Sequence, residues 1–373
     1  MTDAHRSALR HWLSDVRESR APSEDEGIDP CGVHWRRHAE GVLELAPVEV
    51  GGTTDRYDTS DTNDEGAARH AKGVPRDPKA PDAKIGHRYD AILSCGIHGD
   101  ETAPIEIVDG ILRDIADARL TLRERVLVVL GNPDAVRAGK RYLHYDLNRL
   151  FHGAHAKHAE SPAVQRAREL EVIVAQFFAG VDGVRRVRRH VDMHTAIRAS
   201  LFQRFAVVPG TPEHPPGDAW FEALAAADIE ATMRTEQPSV TFSYYTCARF
   251  GAQSCTLELG KVAPFGGNRL EDFAGIDAAL RRWLSGGEMA ARDDGRRLRP
   301  KRFRVAAEIV RRTDAFVLDV PDDTPNFTPY PAGTVLARDG ENTYTVSHSE
   351  ERIVFPNPNV ANGLRAGVMV VPE

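Results

Sequence analysis

Long apolar runs, paired cysteines and a surplus of positive charge are missing from this 373-residue chain. No apolar run approaches the roughly 20 residues that a membrane helix needs, so no membrane-spanning role is expected. The opening residues, Met1-Thr2-Asp3-Ala4-His5-Arg6, lack the apolar core of a signal peptide, and export is not indicated. The four cysteines, Cys31, Cys95, Cys247 and Cys255, lie far apart and form no CxxC pair. A thiolate zinc site would need closer pairs; this spacing fits reduced, mostly buried thiols in a cytoplasmic protein. Acidic residues outnumber basic ones by 55 to 48, a formal net charge of −7, so a nucleic-acid partner is not expected. Internal repeats are absent as well, and nothing in the sequence points to an oligomeric state.

What is present suits an ordinary core: 41% hydrophobic residues, with 14 Phe, 8 Tyr and 4 Trp. The length allows two domains, or one large α/β domain with an appendage. Leu9, Trp12, Leu13 and Val16 fall on one face of a helix expected over 5–18. Residues 32–45 read as a strand pair. The stretch 51–85 is crowded with Asp, Thr, Ala, Lys, Pro and Gly and nearly empty of large apolar side chains, which predicts a flexible polar insertion. His70 inside it reads as a solvated side chain.

From Arg88 onward strands and helices alternate. Strands are expected at 91–95, 125–130, 187–193, 205–208 and 255–259, and helices at 102–118, 162–179, 219–227 and 270–284. That order predicts a mixed or parallel sheet covered on both faces. Past Gly286-Gly287 and an Arg-rich link, only short strand-like runs remain, at 305–310, 315–320, 333–336, 344–347 and 368–371. The chain therefore divides into 1–50 (a helix and strands leading into the catalytic domain), the insertion 51–85, a catalytic domain 86–299 and an all-β C-terminal domain 300–373.

The chemistry concentrates in three short segments. Ser94-Cys95-Gly96-Ile97-His98-Gly99-Asp100-Glu101 places an imidazole and a carboxylate three residues apart, after an apolar strand. Alone, such a pair is weak, because a glutamate there can simply serve the dipole of the next helix. Two distant segments strengthen it: Asp192-Met193-His194 and Thr256-Leu257-Glu258-Leu259. His98, Glu101 and His194 form the two-histidine, one-glutamate set that leaves a catalytic zinc an open position. His194 ends its expected strand, where a plain hydrogen-bonded loop residue is the alternative. Asp192, two residues before it, either orients a ligand or pairs with an arginine. Glu258 sits in an apolar strand, where a carboxylate is costly unless paired or functional. It is either the partner of a buried arginine or a general base with a raised pKa. Arg141 and Arg149, in Gly139-Lys140-Arg141-Tyr142-Leu143-His144-Tyr145-Asp146-Leu147-Asn148-Arg149, carry the planar fork that suits a carboxylate. With Arg198 just after His194, they point to a small anionic substrate.

The segments SCGIHGDETAPIEI, GNPDAVRAGKRYLHYDLNRLF, DMHTAIR and CTLELGKVAPFG resemble the succinylglutamate desuccinylase family, which is grouped with aspartoacylase and related more widely to zinc carboxypeptidases. GVLELAP, DTPNFTPYPAGTVLARDGE and FPNPNVANGLRAGVMV extend the resemblance over most of the chain. It implies a zinc-carboxypeptidase-like mixed sheet flanked by helices, with a small C-terminal β domain. It implies one zinc per chain at His98, Glu101 and His194, with Glu258 as catalytic acid and base. It also implies an oxyanion-stabilising Arg141, and substrate-carboxylate contacts from Asn148 and Arg149. The implied reaction is hydrolysis of N-succinyl-L-glutamate to succinate and L-glutamate, the last step of arginine breakdown by the succinyltransferase route. Asp100 departs from the family's usual Asn; facing away from the ligands, it is expected to change metal affinity little. Three other readings share much of this sequence: an aspartoacylase-like amidohydrolase, a peptide carboxypeptidase needing an open groove, and a non-catalytic acyl-amino-acid-binding protein.

Overall fold

The computed structural model describes residues 7–20, 24–48, 88–180, 186–290 and 299–373. The expected insertion 51–85, with His70, lies outside the described residues.

In chain order the strands are β1 (Glu26–Asp29), β2 (Val33–Ala39), β3 (Val42–Pro47), β4 (Tyr89–Cys95), β5 (Arg125–Leu130), β6 (Val187–Ala196), β7 (Phe205–Pro209), β8 (Ala231–Thr235) and β9 (Gln253–Lys261), then β10 (Lys301–Val310), β11 (Val317–Leu318), β12 (Thr328–Pro331), β13 (Val335–Asp339), β14 (Asn342–Thr345), β15 (Glu350–Val354) and β16 (Arg365–Pro372). The helices are α1 (Ala8–Arg17), α2 (Thr102–Ala116), α3 (Pro133–Ala138), α4 (Pro162–Ala179), α5 (Asp218–Ala226), α6 (Phe242–Phe250) and α7 (Ala274–Leu284). Among the described residues, thirteen strands form one sheet in the order β1-β2-β3-β5-β4-β6-β9-β7-β8-β10-β16-β15-β12.

Parallel pairing runs through β5-β4-β6-β9, and antiparallel pairing brings in β3 on one side and β7 on the other. Strands β4 and β5 are buried at every position, since both faces of the central sheet are covered. One face packs on α1, α2, α5 and α7, through residues such as Trp12, Ile105, Trp220 and Trp283. The other packs on α4 and α6, through Val164, Phe177, Phe242 and Tyr245. The helix starts follow capping chemistry: Ser7 Oγ accepts from Arg10 N at 3.2 Å, and Ser161, ahead of Pro162, accepts from Val164 N at 3.3 Å.

The connection order places a topological switch at β4. The chain leaves β4 through α2 to β5 on one side and later returns as β6 on the other. Such a switch opens a crevice at the carboxyl ends of the strands.

The C-terminal strands do not form a detached unit. Strand β10 pairs in parallel with β8 and antiparallel with β16, so the central sheet continues into the C-terminal region. Strands β11, β13 and β14 make a separate three-stranded sheet. A shared aromatic cluster holds the seam: Phe205 meets Phe327 edge-on at 5.0 Å, and Phe303 lies 5.2 Å from Phe327. Phe327 is wholly buried, worth roughly 2–3 kcal/mol for a side chain of its size.

Candidate metal centre and active site

Strand β4 ends at Cys95, and Gly96 turns the chain with φ +62°, a left-handed conformation that favours glycine. His98 follows, 3% exposed. Gly99 lies so close to α3 that a Cβ there would sit 2.1 Å from the carbonyl carbon of Ala135. Its N–H donates to the Arg141 carbonyl at 3.1 Å. This close approach brings His98, Glu101 and the Arg141 loop to one spot. Glu101 stands at the N-cap of α2 but makes no capping hydrogen bond. Its carboxylate turns inward instead.

The three predicted ligands converge. His98 Nδ1 lies 2.8 Å from Glu101 Oε1, His194 Nδ1 lies 2.9 Å from Glu101 Oε2, and the two Nδ1 atoms are 3.2 Å apart. The far nitrogens are also engaged: His98 Nε2 with Asp146 Oδ1 at 3.0 Å, and His194 Nε2 with Asp192 Oδ2 at 3.1 Å. With its Nε2–H given to a carboxylate, each ring in its neutral form turns the Nδ1 lone pair toward one point beside Glu101. Carboxylate-backed imidazoles of this kind are the usual surroundings of a bound metal.

Electrostatics agree. Burial pushes the Glu101 and Asp192 carboxyls up, but the neighbouring histidines, His194 foremost, outweigh it and lower both, Glu101 to well below the usual range. Asp146 is likewise lowered: burial raises it, and the bond to His98 overcomes that. Three buried or half-buried carboxylates thus face two imidazoles and Arg141, whose Nη1 donates to Glu101 Oε1 at 2.7 Å. Without a cation, burial's downward push on His194 is overcome by Asp192 and Glu101, and its pKa rises well above the ordinary value. The donor set is one that fits a zinc ion.

Strand β6 extends to Ala196, so His194 lies within the strand instead of ending it. Glu258, on β9, is its register partner. Burial raises the Glu258 carboxyl to about 7, Glu101 adds to the rise, and His194 and Arg141 oppose it. Those groups act at a distance; among the described residues none hydrogen-bonds to the Glu258 carboxylate, so the buried-arginine alternative does not describe it.

Asn148 is 5% exposed, and its Oδ1 accepts from Phe242 N at 3.0 Å, tying its loop to α6. Arg149 is exposed and donates through Nη1 to the Asn148 carbonyl at 3.1 Å. The charges that reach it include Asp146, Arg365, Arg141 and Glu258, so it shares their cleft. Arg198 points elsewhere: its Nη1 donates to the carbonyls of Asp322 and Thr324, joining the rim after His194 to the C-terminal region. Asp100 Oδ1 is buried without a hydrogen-bond partner among the described residues.

Sequence reasoning passed over Asp146, although it stands in the quoted HYDLNR segment. It also passed over a set of polar residues behind Asp192. Their signal was available in the alternation His190-Val191-Asp192-Met193-His194 and Ser254-Cys255-Thr256-Leu257-Glu258, which puts polar groups on one face of two buried strands.

Residues 88–284 match the succinylglutamate desuccinylase/aspartoacylase catalytic domain, and residues 299–373 match the AstE/AspA barrel-sandwich hybrid domain. The chain is 52% identical over 365 residues to the succinylglutamate desuccinylase of Burkholderia pseudomallei (strain 1710b), covering 96% of this chain and 93% of that protein. Among solved structures, the enzyme of that name from Vibrio parahaemolyticus aligns with a TM-score of 0.80 at 32% identity, over 97% of this chain and 94% of the other. That from Chromobacterium violaceum aligns with a TM-score of 0.73 at 38% identity, over 97% of each chain.

Proposed function

Since the chain belongs to the succinylglutamate desuccinylase/aspartoacylase family, we propose that it hydrolyses N-succinyl-L-glutamate to succinate and L-glutamate with one zinc per chain. The observation that carries this reading is the convergence of His98, Glu101 and His194 next to a carboxylate, Glu258, whose pKa is raised to about 7. His98, Glu101 and His194 would hold the metal. The chemistry supplied by zinc when bound there is that of a Lewis acid, acidifying water and polarising the amide carbonyl.

The remaining work falls to this chain's side chains. Glu258 takes the proton of the attacking water, because a carboxylate with a pKa near neutrality is both available as a base and strong enough to act. The water oxygen adds to the amide carbon. Arg141, already at the edge of the ligand set, donates to the oxygen that gains charge; one such donor is worth about 3–4 kcal/mol. Glu258 then returns its proton to the amide nitrogen as the carbon–nitrogen bond breaks, and glutamate leaves as an amine. Arg149 and Asn148 hold a substrate carboxylate. Asp146 and Asp192 keep the two histidines in the tautomer that leaves Nδ1 free.

The substrate carries three carboxylates, which accounts for arginines gathering at this cleft in an acidic protein. We place the reaction last in arginine breakdown by the succinyltransferase route, in the cytoplasm. Among the described residues no helix is long and apolar enough to cross a membrane, and the four cysteines are free thiols. The direct test incubates zinc-loaded protein with N-succinyl-L-glutamate and follows both products by proton NMR. Succinate and glutamate should appear in equal amounts; an unchanged substrate would overturn the proposal.

A further inference from the structure

Between the sheet and α6, behind the metal centre, lies a buried polar layer that the reaction steps above do not use. Strands β4, β6 and β9 run side by side in register. Ser94 is opposite Asp192, Asp192 opposite Thr256, His190 opposite Ser254, and His194 opposite Glu258. The intervening Leu93, Val191, Met193, Cys255 and Leu257 belong to the core on the far face. The polar residues share a layer with Ile92, Phe242 and Tyr245.

Ser94, His190, Asp192 and Thr246 are all 0% exposed. Polar groups so deeply buried persist when each finds a partner. Here the partners form one chain. Ser254 Oγ lies 2.8 Å from Thr246 Oγ1, Thr246 Oγ1 lies 2.9 Å from His190 Nδ1, and His190 Nε2 lies 2.7 Å from Ser94 Oγ. Ser94 Oγ donates to Asp192 Oδ1 at 2.5 Å, and the other carboxylate oxygen of Asp192 receives His194 Nε2–H.

Hydrogen-bond direction decides what this chain does. A hydroxyl has one proton, and Ser94 gives its own to Asp192. It must therefore accept from His190, so His190 carries its proton on Nε2, and its Nδ1 competes with the Ser243 carbonyl, 3.0 Å from Thr246 Oγ1, for the single Thr246 hydroxyl proton. Burial lowers the His190 pKa to about 4, which keeps the ring neutral with a single N–H. With the opposite tautomer, Ser94 would turn its proton to His190 and leave Asp192 Oδ1 without a donor. The edge of Phe242, 4.7 Å away at 76°, holds the imidazole plane.

We propose that His190 is a positioning residue for the metal centre: acting through Ser94 it fixes the Asp192 carboxylate, and through that carboxylate the tautomer and orientation of His194. The proposal rests on the metal-centre reading above. It predicts that changes at Ser94 and His190, two and three hydrogen bonds away from His194 and with no contact to substrate, alter how tightly the metal is held.

The test compares full-length wild type with His190→Phe, His190→Gln and Ser94→Ala. Zinc affinity is measured by competition with a chromophoric chelator, alongside kcat and KM and the thermal midpoint of metal-stripped protein. His190→Phe and Ser94→Ala should each weaken zinc by about 10–100-fold, the usual effect of losing a group that supports a ligand. His190→Gln keeps a donor near the Nε2 position and should recover most of that loss; Thr246 still has the Ser243 carbonyl, 3.0 Å away, as an acceptor. Zinc affinity unchanged in Ser94→Ala and His190→Phe, with only the metal-free midpoint lowered, would show a purely structural role and overturn the proposal. So would a glutamine variant no better than phenylalanine. If His190→Phe does not fold, Ser94→Ala decides alone, because it cuts the same link to Asp192. A wild type that binds no zinc overturns the metal-centre reading instead.

Discussion

Glu258→Gln is the most informative single change. Glutamine keeps the shape of the side chain but cannot accept the proton of water. Removing a general base typically costs about 10²–10⁴-fold in rate, or about 3–5 kcal/mol in barrier. Zinc should stay, because Glu258 lies outside the ligand set, whose donor atoms lie within 4.8 Å of one another. The structure adds a pH dependence. Burial raises this carboxyl to about 7, and a base works only when deprotonated, so activity must rise with pH through that region. With a pKa of about 7, roughly half the enzyme is active at pH 7 and about a tenth at pH 6, a fivefold fall. A metal cation beside Glu258 moves the midpoint downward, so the loaded enzyme should turn at or below about 7. Stability carries the opposite sign. A carboxyl whose folded pKa is raised favours the fold while protonated, and that contribution is lost as pH rises from its unfolded value through about 7. Metal-free Glu258→Gln should therefore melt no lower than wild type above neutral pH. The assays are steady-state kinetics across pH, elemental analysis and thermal unfolding. Loss of zinc from the variant would make Glu258 a ligand, and a kcat close to wild type would remove it from the mechanism.

Protein purified without added metal should carry close to one equivalent of zinc per chain, and His194→Ala should lose most of it; elemental analysis decides, and full activity in metal-free protein would contradict the site. Arg141→Ala should lower kcat, because its contact strengthens as charge develops, whereas Arg149→Lys should mainly raise KM by losing the planar fork; equal effects on both constants from both changes would break this division. Glu351 is 0% exposed and accepts from Tyr344 Oη, Ser347 N and His348 N, so although burial raises its pKa, those bonds hold it at about 2. Its stabilising effect is fully present above about 4.5 and fades toward pH 2, so the urea-unfolding gap between wild type and Glu351→Gln, on the order of 3 kcal/mol, should close over that window. A gap that stays constant with pH would refute it.

Much of this arrangement was legible from residue pattern. The unbroken apolar run Val126–Leu130 marked a strand covered on both faces, and Leu9, Trp12, Leu13 and Val16 marked the buried side of α1. The cluster of His98, Glu101 and His194 was legible because His98 and Glu101 follow a strand within one glycine-rich turn. Other elements were not. Strand β8 (Ala231–Thr235) and helix α6 (Phe242–Phe250) are short and mix polar with apolar residues, so periodicity alone does not separate them from loop. The expected 270–284 helix begins as a 3-10 turn, with α7 starting at Ala274. The continuity of the sheet into the C-terminal region depends on β8 pairing with β10, about seventy residues later, and no local pattern carries such a pairing. Arg198 was grouped with Arg141 and Arg149 by its nearness to His194. Its side chain instead follows the turn toward the carbonyls of Asp322 and Thr324. Asp146 and His190 escaped notice because supporting residues are defined by their partners, and those come from distant parts of the chain.

The central claim is that this cleft is built for an N-acyl amino acid with three carboxylates. Its most direct test is kcat/KM for N-succinyl-L-glutamate against N-acetyl-L-aspartate, on the same zinc-loaded preparation. The second substrate has one carboxylate fewer and leaves an arginine of the cleft without its charge-assisted hydrogen bonds, at a cost of about 1.5–3 kcal/mol. N-succinyl-L-glutamate should therefore be turned over with a kcat/KM higher by about ten- to a hundredfold. Equal values, or faster turnover of N-acetyl-L-aspartate, would contradict the account and move the chain to the aspartoacylase reading.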